Sequence, residues 1–305
     1  MNAMPPLPFL PSRRGLLAAL AAAPTLTAQN RYQPVFAGQA YVWSQHFARQ
    51  NQKMEDHFDQ ILGSFRSAGY STLELVGSAF FAPQFAERTA GLLRKHNLKV
   101  PVVYNGGEMH TEAGADKTIA ATLDLARRVR KATGLLESVS FNPNPLPKGA
   151  PKADQQLATQ AAALNRLAAE LRRENAGLMI HQHAPEMAGN AREWRHILAN
   201  TDPAAVKICL DTHWILRGGQ NVMTLLREAT PRLASLHLRN SRNGVWLEEF
   251  ADGDIDYRQV AAHLRDARYR GYLVVELAYD KETEITAPLE SSLRRSLDYA
   301  RRIFT

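Results

Sequence analysis

The chain has 305 residues, 45% hydrophobic and 22% charged, which is ordinary globular composition with material for one large core. The net charge is +7. No basic run carries interleaved aromatics, and Lys and Arg fall in helical patterns such as Arg127-Arg128-Val129-Arg130-Lys131, so a solvated face explains the charge and nucleic acid is not an expected partner. The single cysteine, Cys209, excludes an internal disulfide and lies in an apolar strand pattern, as a buried structural thiol does.

Chain order begins with a stretch that reads as an export signal. Ser12-Arg13-Arg14-Gly15-Leu16-Leu17 precedes the apolar run AALAAAPTLTA, which ends at Ala28. Paired arginines, a short apolar stretch and small residues predict a twin-arginine-type signal over residues 1–28, hence a periplasmic or secreted protein. The run is too short to span a bilayer and no cysteine lies there, so no membrane anchor is expected.

From residue 38 to 305 the pattern predicts one domain. Strand-like runs are Ala40–Trp43, Thr72–Val76, Lys99–Tyr104, Ser138–Phe141, Leu178–His183, Val206–His213, Ala234–Asn240 and Tyr272–Leu277. Between them lie amphipathic stretches such as Met54-Phe58-Ile61-Leu62-Phe65 and Leu157-Ala161-Leu164-Leu167-Leu171, and the chain closes with Leu289-Leu293-Leu297-Ile303. Pro83, Asp116, Asp202 and Asp256 are the expected helix starts. Eight strands alternating with helices predict the α/β class, a single (β/α)8 TIM barrel. No G-x-G-x-x-G follows a strand, which removes the usual dinucleotide reading. The Pro-rich stretch Asn142–Gly149 reads as a stiff loop after strand four.

In such a barrel the strand C-termini share one mouth, where active sites form. Polar residues gather at those ends: Glu74, Glu108, His110, Asn142, His181, His183, Asp211, His213, His237, Arg239 and Glu276. Burying one such group without a partner is costly, and burying a set makes sense if they converge on a cation. Four separate strand ends supply His181, Asp211, His237 and Glu276. Two imidazoles with two carboxylates predict one divalent metal, with Mn2+, Co2+, Zn2+ or Fe2+ favoured over Mg2+, and the ligand type argues against Ca2+, which takes oxygen-only shells.

Several motifs resemble the xylose-isomerase-like barrels, which include sugar isomerases, sugar epimerases and endonuclease-IV-type enzymes. ICLDTHW (Ile208–Trp214) and SLHLRNS (Ser235–Ser241) resemble the family's strand-six Asp and strand-seven His segments. Phe250–Tyr257 resembles its Gly-x-Gly-x-Ile-Asp loop with the first Gly missing, and Tyr269–Glu276 resembles its strand-eight run. The resemblance is specific from about residue 178 onward. It implies metal binding by Asp211, His237 and Glu276. Strand five departs: where many members carry Glu-Asn-His, this chain has His181-Gln182-His183, similar to a subgroup with His-x-His followed by an acid, here Glu186.

The resemblance implies a divalent-metal-dependent sugar isomerase or epimerase that abstracts a proton beside a carbonyl and stabilises the enediolate. Family epimerases use two carboxylates, and here only Glu276 stands in its expected place. The second acid/base group is then His183, Glu186, His213 or Glu74. Glu74, Asn142 and Arg239 are the candidate substrate-binding groups, and the expected partner is a small sugar or glycoside. Losing the paired carboxylate makes a lyase or hydratase that eliminates the aglycone from 3-keto-glycosides the close alternative, and a non-catalytic carbohydrate-binding barrel a further one. DNA repair is disfavoured by the export signal and the lack of a basic loop.

Overall fold

The computed structural model describes residues 32–305. The expected export signal at residues 1–28 lies outside the described residues. The strands are β1 (Val35–Gln39), β2 (Thr72–Val76), β3 (Lys99–Gly107), β4 (Ser138–Pro143), β5 (Gly177–Ile180), β6 (Val206–Asp211), β7 (Leu233–Leu238), β8 (Ser241–Arg242), β9 (Val245–Trp246) and β10 (Tyr272–Val275). Eight of them close into a parallel barrel in the order β1-β10-β7-β6-β5-β4-β3-β2, while β8 and β9 form a separate antiparallel hairpin. This is the expected single (β/α)8 barrel.

The helices are α1 (Tyr41–Ala48), α2 (Phe58–Ser67), α3 (Pro83–Lys95), α4 (Glu112–Thr133), α5 (Asp154–Arg173), α6 (Ala184–Asn200), α7 (Thr212–Arg217), α8 (Val222–Ala229), α9 (Tyr257–Asp266) and α10 (Leu289–Phe304). Their apolar stripes face the strands. Ile61, Leu62 and Phe65 of α2 are buried, as are Leu157, Ala161, Leu164, Leu167 and Leu171 of α5 and Leu293, Leu297 and Ile303 of α10. Val102, Met179 and Cys209 form a small separate cluster, and the Cys209 thiol is free and buried. No helix among the described residues is long and apolar enough to cross a membrane.

Strand one was expected over Ala40–Trp43, but the barrel strand is Val35–Gln39 and helix α1 begins at Tyr41. The apolar pair Trp43 and Phe47 is spaced by four, which suits a helix face, and both are buried while Tyr41 is 41% exposed. In β1 it is Gly38 that lets α2 approach, since a Cβ there would sit 2.6 Å from Phe65 Cε1. Of the expected helix starts, Pro83 opens α3 and Asp256 caps α9. Asp116 lies inside α4, whose cap is Thr111, with its hydroxyl accepting from Gly114 N. Asp202 starts no helix; its carboxylate accepts from Ala204 N in the turn into β6. Strands five and six end earlier than expected, at Ile180 and Asp211, because Pro185 and the Asp211 cap begin helices there.

Candidate active site

Strand β7 lies between β6 and β10, and that register sets the centre. Asp211 pairs with His237 across β6 and β7, and Val274 pairs with His237 across β7 and β10. Glu276 lies two residues beyond Val274, hence on the same side, and its N–H donates to Leu238 O at 3.1 Å. His181 extends β5 by donating its N–H to Phe141 O at 2.9 Å. One ligand-capable atom from each of His181, Asp211, His237 and Glu276 lies within 4.8 Å of the others, and all four residues are buried.

Each oxygen of Asp211 has its own task. Oδ1 accepts the N–H groups of His213 and Trp214, both at 2.9 Å, and so caps α7. Oδ2 faces the cluster, 2.7 Å from Arg239 Nη2 and 3.6 Å from His181 Nε2. Burial would raise this carboxyl's pKa, but Arg239, His181 and His237 outweigh it and hold the group ionised, well below the usual range. Glu276 follows the same logic: burial opposes ionisation, and Arg239 and His237 reverse it.

His237 stands between two carboxylates. Nδ1 lies 2.9 Å from Glu276 Oε2, and Nε2 lies 3.1 Å from Glu74 Oε1. His181 is different. It is 1% exposed, and neither ring nitrogen has a hydrogen-bond partner among the described residues. An imidazole so buried is costly unless a nitrogen ligates something. Two imidazoles and two carboxylates at four strand ends therefore fit a divalent cation.

Residues 64–303 match the family profile described as xylose isomerase-like TIM barrel. The chain belongs to the xylose isomerase-like family. An inosose dehydratase of Mesomycoplasma hyopneumoniae (strain 7448) is 24% identical over 273 residues, covering 81% of this chain and 89% of that protein. A D-allulose 3-epimerase from Methylomonas sp., solved with D-allulose, superposes with a TM-score of 0.69 at 16% identity, covering 89% of this chain and 98% of the other. A 3-keto-D-glucoside 4-epimerase from E. coli superposes with a TM-score of 0.64 at 15% identity, covering 88% and 100%.

In this xylose isomerase-like barrel the remaining expected site residues separate into tied and free groups. Glu186, an expected catalytic acid, is 1% exposed; Oε1 accepts from Asn142 Nδ2 at 2.9 Å and Oε2 from His183 N at 3.0 Å. Burial raises its pKa. Its bond to the His183 N–H fixes the start of α6, and Asn142, expected to bind substrate, clamps it. His213, another expected catalytic group, has both nitrogens engaged. Nδ1 accepts from Trp246 Nε1 at 2.8 Å, so Nε2 carries the proton toward Ser241 Oγ at 2.8 Å, and Ser241 donates on to Asp254 Oδ2 at 2.6 Å. Burial, then Arg239, push its pKa down to about 4. Glu74, expected at the mouth, lies behind His237 and is 1% exposed. Arg239 lies against Asp211 and Glu276 and is 3% exposed.

His183 is the free group. It is half-buried, its ring 4.8 Å from that of His181 and 5.2 Å from that of Trp214, with no side-chain hydrogen bond to its ring among the described residues. Burial, then His181, lower its pKa to about 3, which leaves a neutral imidazole.

Three neighbours were not singled out from the sequence. Tyr104 at the mouth packs edge-on to His181 at 5.4 Å, and burial keeps its phenol protonated. Trp214 closes the Ile208–Trp214 segment and packs on the His183 ring. Trp246 arrives on the β8–β9 hairpin, whose turn Asn243-Gly244 has positive φ at both residues. That dipeptide is the usual hairpin signal and would have revealed it.

Proposed function

We propose that this sugar isomerase/epimerase-like enzyme is a lyase that removes a β-oxygen substituent beside a carbonyl, acting on keto sugars of the 3-keto-glycoside class. The observation that carries this reading is the His183 ring, which takes no side-chain cap bond and stands open beside the candidate ligands. Among the described residues the His183 ring takes no side-chain hydrogen bond, whereas Glu186 and His213 are committed to other partners and Glu74 engages His237 through Oε2.

Epimerisation returns a proton to the opposite face and needs two such groups. Elimination works with one. His183 takes the proton beside the carbonyl, the C–O bond to the leaving group breaks as the C=C bond forms, and the resulting imidazolium returns the proton to the departing oxygen. Trp214 packs edge-on against the His183 ring. Glu276 keeps Oε1 clear of His237 and Arg239, which engage Oε2, so Oε1 can orient a substrate hydroxyl. His181, Asp211, His237 and Glu276 would hold the metal, and a divalent cation there supplies Lewis acidity for the charge that develops on the carbonyl oxygen. Mn2+, Co2+ and Zn2+ suit this donor set better than Mg2+. The inosose dehydratase likeness supports elimination, and the 3-keto-D-glucoside 4-epimerase likeness supports the substrate class.

Epimerisation is the second reading, favoured by Glu276 Oε1 as a second proton acceptor. The test is incubation of Mn2+-loaded protein with 3-keto-glycosides and with ketoses in D2O. Aglycone release is expected. Deuterium incorporation without release would replace the lyase with an isomerase or epimerase, and neither would overturn both.

A further inference from the structure

Arg239 is the cation built most deeply into the candidate metal site. Its Nη2 donates to Asp211 Oδ2 at 2.7 Å, and its Nη1 lies 3.4 Å from Glu276 Oε2. One guanidinium therefore spans two of the four candidate ligands. Asp211 has no spare oxygen to offer instead, because Oδ1 is spent on the cap of α7. Nor is the guanidinium free to leave. It lies 5.0 Å from the Trp214 ring centroid and 4.8 Å from that of Trp246. Trp246 is itself fixed by its bond to His213 and by Arg217, 4.1 Å from its ring.

We propose that Arg239 is a resident counter-cation of the metal site, competing with a divalent ion for Asp211 and Glu276 and holding both carboxylates in place when the metal has left. The inference rests on the reading of His181, Asp211, His237 and Glu276 as metal ligands. Asp211, Glu276 and Glu74 bring three carboxyl groups into one dry interior, which is unfavourable without compensation. Arg239 supplies that compensation permanently. Part of the negative charge is then already neutralised, and an arriving cation gains less from it. Arginine suits the task because its planar fork meets two carboxylates, stacks on aromatic rings and keeps its proton. The expected result is a metal that exchanges readily rather than one held for the life of the protein.

The test uses the full chain, stripped with a chelator and titrated with Mn2+ and Zn2+ in competition with a chromophoric chelator. Arg239→Met and Arg239→Gln remove the charge, Arg239→Lys keeps it, and His237→Ala removes a ligand. Both neutral variants are expected to bind Mn2+ and Zn2+ about tenfold more tightly than the wild type. Their stripped forms should melt at lower temperature than the stripped wild type. Arg239→Lys should stay within about threefold of the wild type. Neutral variants that keep a native circular dichroism spectrum and bind either ion equally or more weakly would overturn the proposal. If one neutral variant does not fold, the other decides. Equal binding by the wild type and His237→Ala would instead overturn the ligand assignment, which separates the two failures.

Discussion

Glu74 Oε1 lies 3.1 Å from His237 Nε2, across the ring from the nitrogen that faces Glu276. A carboxylate behind a metal-binding imidazole fixes its orientation and raises its basicity. Glu74→Gln should therefore weaken Mn2+ or Zn2+ binding by about 10–100-fold while leaving the barrel folded. Isothermal titration beside far-UV circular dichroism checks this. Unchanged affinity would show that Glu74 does not support the ligand.

Metal removal should abolish turnover. Dialysis against a chelator followed by add-back is expected to restore activity with Mn2+, Co2+ or Zn2+ more fully than with Mg2+, because imidazole ligands favour the former. Elemental analysis of the protein before and after dialysis gives the stoichiometry, expected to be one ion per chain.

His183 and Glu186 make opposite predictions from neighbouring positions. Replacing His183 with Asn should lower kcat by about 10²–10⁴-fold, the usual range for losing a general base, with metal content unchanged. Glu186→Gln keeps an acceptor for one of the two N–H donors and should leave kcat nearly as it was. A large kcat loss in Glu186→Gln alone would move the base to that residue.

His213 is predicted to matter for stability. His213→Ala strands Trp246 Nε1 and one contact of Ser241, both in buried surroundings. The cost of such unmade bonds is about 1–3 kcal/mol. A denaturant titration checks the size, and the urea midpoint should fall without a change in slope.

For the N-terminus we propose twin-arginine export. Changing Arg13 and Arg14 together to Lys should leave the protein in the cytoplasm, read by fractionation with a periplasmic marker. Normal export of the double variant would refute the signal.

The barrel was legible because β2, β3, β5, β6, β7 and β10 are rich in Val, Ile, Leu or Met and lie between long amphipathic stretches. Strand one misled because Ala40–Trp43 is apolar in any conformation, and only the burial of Trp43 and Phe47 on one side distinguishes helix from strand. The ligand set was legible because strand ends converge in a barrel. The status of Glu186, His213 and Glu74 was not, since it depends on whether a partner takes up each polar atom. Glu186 is captured by a backbone N–H three residues away and by Asn142 from another strand, and the second of these is invisible to local pattern. Trp246 was missed because a two-residue hairpin is too short to show a strand period.

The β8–β9 hairpin hangs outside the barrel's hydrogen-bonded wall, yet it delivers one of the two indoles that confine Arg239. None of the four candidate ligands sits on it. A change in its length or sequence would shift the guanidinium while leaving every ligand-bearing strand in register. The reacting centre and its adjustment thus occupy separate stretches of chain, and sister proteins are free to retune one while inheriting the other intact.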